Sequence, residues 1–313
     1  MDPWLIVLLV LTGISLAMLV VIIHGANRTY KGSEKAFELT FFNPIHCGAN
    51  VCKRPITTLP VPAVSGTAYD PTVARYCADL VMRVESKDHS KRAVKGLKEL
   101  GGQGIGTDAG DFVFVWSDNN GVLWVTYRGT AANIKEWAED LQYSQNAYDP
   151  KLKSNVQRTL SSDPEVRVHT GFYDYYTVVA EFIQSLVNSS KPKTVVISGH
   201  SLGAATATLN GVHLASKGVS TVVYNFGCPA IGNNEFSDAV AKTVSVYRHV
   251  NSCDLVPSLP TSVAPNFSDP SDPYIYTHCG TEYRFTLNYK SLENNHSMGT
   301  YTEAFGKGLY KQA

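Results

Sequence analysis

The order of elements in this 313-residue chain predicts an α/β fold, a doubly wound, mostly parallel sheet with helices on both faces. Two runs carry the prediction. Residues 194–197 are β-branched and residues 221–226 are mostly apolar, the pattern of strands covered on both faces. Each run is followed by a helical segment, and strands alternating with helices are joined by crossovers that keep neighbouring strands parallel.

Composition narrows the class. Hydrophobic residues make up 44% of the chain, ample for a sizeable core, and 27 Lys plus Arg balance 27 Asp plus Glu. That balance gives no electrostatic footprint for nucleic acid or another polyanion. No linker, repeat or low-complexity tract follows residue 70, so residues 69–313 read as one domain behind an irregular lead-in, 27–68.

The N-terminal segment, 1–26, is a signal anchor or a signal peptide. Residues 4–23 hold no charge and are long enough to span a bilayer. The n-region offers Asp2 but no basic residue, and the cleavage site near Gly25-Ala26 is poor, which favours a retained anchor. Arg28, Lys31 and Lys35 would keep that flank cytosolic. Against this stand six cysteines and glycosylation sequons at Asn27, Asn188 and Asn266, which favour the secretory pathway. The catalytic domain would then be lumenal or extracellular, or secreted if 1–26 is cleaved. A fourth sequon, at Asn295, carries no weight.

Along the chain, Cys47 and Cys52 read as a short-loop disulfide in a secreted protein, and His46 beside them makes too few ligands for a metal. Asp70-Pro71 starts a helix whose stripe is Ala74, Cys77, Ala78 and Val81. The basic run 87–98 reads as a solvated face. Residues 101–106, G-G-Q-G-I-G, have the outline of a phosphate-binding fingerprint but lack a preceding strand and a partner acid, so a flexible loop is expected. Strands at 112–116 and 122–127 flank Asp118-Asn119-Asn120-Gly121, a hairpin signal. A helical segment, 132–141, follows Arg128-Gly129-Thr130. After a short strand at 165–168, Phe172, Tyr175, Val179, Phe182 and Leu186 recur at helical spacing to about residue 188. Helices at 201–217 and 234–242, a third strand at 244–250 and a strand at 283–287 complete the pattern.

Between the first strand and its helix stands G-H-S-L-G, with Gly199 and Gly203 two positions either side of Ser201. A sharp strand-to-helix turn strains the serine and crowds those flanking positions against main chain, which glycine tolerates. A serine hydroxyl so placed is a candidate nucleophile, and it needs a base oriented by a carboxylate. Asp254 sits just past the third strand, where working residues gather, whereas Asp238 falls in a helix and Asp269 and Asp272 in a Pro-rich loop. In the order serine, acid, histidine, only His278 and His296 follow Asp254, and the polar loop around His296 makes it the preferred base. His200 is expected to point away and serve structure. The Leu202 N–H, at a helix N-terminus, and Thr130, after an earlier strand, are the candidate oxyanion donors. This chemistry calls for no cofactor and no metal.

V-T-Y-R-G-T (125–130), V-H-T-G-F (168–172), I-S-G-H-S-L-G (197–203), N-F-G-C-P-A-I-G-N (225–233), H-V-N-S-C-D-L-V-P-S-L-P (249–260), Y-T-H-C-G-T-E-Y (276–283) and N-H-S-M (295–298) together resemble the class 3, fungal-type triacylglycerol lipases. The similarity covers about residues 70–310. It implies the α/β-hydrolase fold, Ser201, Asp254 and His296 as a triad, Thr130 and Leu202 as the oxyanion hole, and a lid after Thr130. Cys228 and Cys253 depart from the family pattern, and Cys77 has no C-terminal partner.

The lid has physical content of its own. Ile134, Trp137 and Leu141 form an apolar edge opposite Lys135, Glu136, Glu139 and Asp140. In water that edge would cover the acyl pocket, and at a membrane, droplet or emulsion surface it would swing out and bury in lipid. The expected partner is a lipid-ester substrate at such an interface, met through the lid and residues 4–23. Phospholipase A1 and feruloyl-type esterase remain alternatives within the same mechanism. A catalytically inactive, membrane-anchored interaction protein is the alternative of another class.

Overall fold

The computed structural model describes residues 59–85, 103–107, 110–129, 144–148 and 166–313. The first helix, α1 (Pro71–Glu85), is capped by Asp70, whose carboxylate accepts from Thr72 N at 2.7 Å and Val73 N at 3.3 Å. Those donors have no acceptor inside the helix, and the cap supplies one. Its stripe of Ala74, Cys77, Ala78 and Val81 is fully buried.

Three strands follow, β1 (Gln103–Thr107), β2 (Gly110–Ser117) and β3 (Val122–Tyr127). The glycine-rich stretch expected as a flexible loop thus supplies an antiparallel edge strand, with Gly104 opposite Phe114 and a bulge between Ile105 and Gly106. Glycine is a poor strand former, but pairing with the apolar β2 overrides that preference. The β2–β3 turn is held by Asp118, whose side chain accepts from Asn120 N and Val122 N.

Two short strands, β4 (Gln145–Ala147) and β5 (Arg167–His169), pair with each other and lead into α2 (Thr170–Ser190). Its buried face is Phe172, Tyr176, Val179, Ala180, Ile183 and Val187. The apolar stripe read from sequence was turned too far: Tyr175 is 46% exposed, and Phe182 and Leu186 lie at the margin. Tyr176 is drawn inward because its hydroxyl meets His213 Nδ1 at 2.8 Å.

The main sheet continues through β6 (Thr194–His200), α3 (Leu202–Ser216), β7 (Thr221–Phe226), α4 (Asn234–Thr243) and β8 (Ser245–Asn251). A small pair, β9 (Val263–Ala264) and β10 (Tyr274–Ile275), stands apart. Then come β11 (Thr281–Phe285), the one-turn helix α5 (Leu292–His296), α6 (Met298–Gly306) and β12 (Lys311–Gln312). The eight-stranded order is β1-β2-β3-β6-β7-β8-β11-β12, and every pairing from β3 to β11 is parallel.

Helix α3 runs through the core, buried from Leu202 to Leu214. Two of its threonines are satisfied locally: Thr206 and Thr208 donate to the carbonyls of Leu202 and Ala204, and Thr208 also accepts from Asn225 Nδ2 at 2.7 Å. Burial without such partners would be costly.

All four described cysteines, Cys77, Cys228, Cys253 and Cys279, are free thiols, so the disulfide expectation narrows to Cys47 and Cys52, outside the described residues. Burial pushes the Cys279 thiol up to about 11, and Cys77 and Cys228 further. Of the sequons, Asn188 is exposed, whereas Asn295 is buried with its amide bonded to Tyr289 N and Cys253 O. Residues 1–26 and 132–141 also lie outside the described residues. Among those described, no helix is long and apolar enough to cross a membrane.

Thr208→Val keeps the shape of the side chain but leaves Asn225 Nδ2 unpaired in the core. It is expected to cost about 1–3 kcal/mol in urea unfolding. Thr206→Val, whose hydroxyl serves only its own helix, is expected to cost less; equal losses would contradict this partition.

Candidate active site

The site begins with a main-chain collision. A side chain on Gly199 would strike the carbonyl of Gly203, and one on Gly203 would strike the carbonyl of Arg128 at the end of β3. Between them Ser201 adopts φ 56° and ψ −129°, a region that L-residues avoid. The conformation is held by Ser201 N donating to Phe226 O at 3.1 Å and by Ala204 N donating back to Ser201 O at 3.0 Å. Leu202 opens α3, so its N–H has no acceptor within the helix.

Asp254 and His296 meet beyond the sheet. His296 Nδ1 lies 2.7 Å from Asp254 Oδ2, with the two side chains 4% and 0% exposed. The carboxylate is fixed from three sides, because Tyr301 donates to Oδ2 at 2.6 Å and Val256 N donates to Oδ1 at 2.9 Å. With Nδ1 as donor to Asp254, Nε2 is the atom left to accept a proton, and it is buried with no hydrogen-bond partner. Gly227, at φ +57°, forms a wall of this pocket: a Cβ there would lie 3.0 Å from both Asp254 Oδ2 and His296 Cε1. Burial, and next the charge of His200, hold the His296 imidazole below its ordinary range, against the pull of Asp254.

His278, the other candidate base, is spent elsewhere. Its Nε2 donates to Pro257 O at 2.6 Å, and burial together with Arg248 pushes it down to about 4. An open cleft of about 350 Å³ borders Asp254, Ser258, Tyr276, His278 and Arg284, but neither Ser201 nor His296 lines it. That cleft is therefore not where a group reacting with Ser201 would sit.

The structure adds two residues that the sequence did not mark, Tyr301 and Glu85, and gives His200 contacts beyond the elbow. Tyr301 braces Asp254, as above. His200, expected to turn away, has its ring centroid 4.3 Å from that of His296. Its Nδ1 lies 2.7 Å from Glu85 Oε1 and its Nε2 lies 2.7 Å from the main-chain oxygen of His296. Glu85 Oε1 also accepts from Gly129 N at 2.9 Å. Burial opposes the charge on His200 and on Glu85, and their mutual contact outweighs it, raising the one and lowering the other. The only sequence signal was the end of α1, where Glu85 looks like any terminal acid. Thr130, Ile134, Trp137 and Leu141 lie outside the described residues.

A strained serine between strand and helix, on a mostly parallel sheet with its helices, is the arrangement of the α/β-hydrolase fold. Residues 124–264 match the family Lipase (class 3). It is 29% identical to a secreted mono- and diacylglycerol lipase of Fusarium solani over 188 residues, 58% of this chain and 50% of that protein. It is 30% identical to a lipase of Rhizomucor miehei over 181 residues, 55% of this chain and 44% of that one. The chain thus spans about half the length of these relatives. The crystal structure of a lipase from Rhizopus microsporus var. chinensis shares the fold, with a TM-score of 0.50 at 24% identity over 76% of this chain and 84% of that one.

The burial of His296 is directly measurable. Its imidazole resonances are expected to titrate below the ordinary value of about 6.5, so that the ring stays neutral into mildly acid solution. A midpoint at or above that value would contradict the packing described.

Proposed function

We propose that the chain is a serine carboxylic-ester hydrolase acting on lipid esters, acylglycerols foremost, through an acyl-Ser201 intermediate. The observation that carries the reading is the coexistence of the strained Ser201 with a buried His296 bonded to Asp254 at 2.7 Å, its Nε2 unpartnered. In this reading Nε2 takes the proton of the Ser201 hydroxyl as Oγ attacks the ester carbonyl. The proton passes to the departing alcohol, leaving the acyl-enzyme, and a water activated by the same nitrogen releases the acid. Asp254 keeps Nδ1–H directed inward and stabilises the imidazolium that forms in each step. The Leu202 N–H and Thr130 would meet the developing oxyanion.

The lipid substrate rests on the match of residues 124–264 to the class 3 lipases and on the apolar edge expected from Ile134, Trp137 and Leu141. Relatives named as secreted mono- and diacylglycerol lipases support acylglycerols and an exit through the secretory pathway. A relative named as a chloroplastic phospholipase A(1) of Arabidopsis thaliana, 32% identical over 156 residues, keeps phospholipids on the substrate panel.

A fluorophosphonate probe is expected to label the wild-type protein and not Ser201→Ala. Folded wild-type protein that stays unlabelled would overturn the enzymatic reading. The lid has its own test: activity is expected to jump once a triacylglycerol substrate exceeds its solubility, and Trp137→Ala to blunt the jump. A smooth saturation curve through that point would remove the lid and leave the hydrolase.

A further inference from the structure

We infer that Glu85 and His200 form a second, largely buried acid–histidine pair, with His200 held as an imidazolium, that positions His296 and ties it to the segment leading into Thr130. The inference rests on the catalytic reading of Ser201, Asp254 and His296 above, and assigns work to two residues outside that triad.

Donors and acceptors around the His200 ring fix its protons. His200 Nε2 faces the carbonyl oxygen of His296, which can only accept, so Nε2 carries a proton. His200 Nδ1 faces Glu85 Oε1 at 2.7 Å, and that contact holds one proton between the two atoms. Oε1 already accepts the Gly129 N–H at 2.9 Å, and hydrogen bonds received by an oxygen favour its ionised form. The proton therefore resides on Nδ1, and a doubly protonated His200 faces a Glu85 carboxylate. The pair is neutral as a unit.

Its reach gives it a purpose. Glu85 ends α1, Gly129 follows β3, His200 ends β6 and His296 ends α5. One carboxylate and one ring thus join four elements, including the main chain of the proposed base and the residue before Thr130. The fit is tight: a Cβ on Gly129 would lie 2.7 Å from Glu85 Oε1 and 3.2 Å from His200 Nδ1. The charges that act on His296 are those of Asp254 after β8, which Tyr301 on α6 braces, His200 on β6 and Glu85 on α1. Among them His200 is the cation, so it opposes protonation of His296 in the resting protein and extends the neutral base toward acid.

The test combines a spectrum with kinetics. In wild-type protein labelled with ¹⁵N-histidine and assigned against His200→Gln, His200 is expected to keep both ring nitrogens protonated at neutral pH. A His200 with one protonated nitrogen at neutral pH would overturn the inference, and this measurement needs no variant to be active. With a soluble p-nitrophenyl ester, Glu85→Gln and His200→Gln are each expected to lower kcat by on the order of tenfold, the scale of a misplaced catalytic group. The double variant should lose no more than either alone, because the two act as one unit. His200→Gln should also move the acid limb of kcat/KM to higher pH, since a cation beside the base has gone. Lower kcat with an unmoved acid limb would reduce the pair to packing and sink the proposal. Wild-type labelling by the fluorophosphonate separates the two readings: if Ser201 labels while both variants behave as wild type, this inference alone fails.

Discussion

The crowding of main chain around Ser201 is the constraint on which the rest of the site depends. The carbonyls of Arg128 and Gly203 leave no room for side chains at Gly203 and Gly199, and that closeness brings the end of β3, the end of β6 and the start of α3 together. A non-glycine residue at φ 56° costs on the order of 1–3 kcal/mol and persists only where its surroundings over-determine it. Here they do: β6 is buried at every position between two parallel neighbours, and α3 is enclosed almost along its whole length. Thr208 adds a tie from the helix to β7, donating to Ala204 O and accepting from Asn225 Nδ2 within the core.

The same enclosure explains which parts of the molecule were legible in the sequence. The spacing of Gly199, Ser201 and Gly203, the apolar runs of β6 and β7, and the stripe of α1 are local patterns, and local sterics and burial are enough to produce them. The face of α2 was only half legible, because the choice between Tyr175 and Tyr176 was decided by His213, 37 positions from Tyr176. The strand β1 was illegible, since Gln103–Thr107 has little strand preference without β2 beside it. Glu85 was illegible for the same kind of reason. It lies 115 positions from His200 and 44 from Gly129, and nothing in its neighbourhood in sequence sets it apart from a solvated acid.

Four histidines show how far surroundings, rather than residue type, decide the state of the ring. His249 lies among Tyr69, Phe226, Tyr283 and Tyr310, and burial pushes it down to about 3. His278 follows to about 4, with Arg248 adding to burial. Neither has a carboxylate hydrogen-bonded to its ring, and both are spent on structural contacts. His200 and His296 each have one, Glu85 and Asp254, and yet they diverge: the first is raised, the second lowered.

The divergence follows from what faces the other nitrogen. His200 Nε2 has a carbonyl opposite it, so both ring nitrogens of His200 face acceptors and the cation is the form that satisfies them. His296 Nε2 has no acceptor, so one proton, on Nδ1 toward Asp254, satisfies the resting ring. Two like rings 4.3 Å apart cannot both be charged at low cost, and the cation on one keeps the other neutral. In the proposed reaction His296 gains a proton only as the oxyanion forms, so the repulsion from His200 is met by the new negative charge near Ser201 as well as by Asp254 and Glu85. A neighbour that disfavours the charged base at rest, in a setting that compensates it during reaction, is consistent with a base kept available rather than one prematurely protonated.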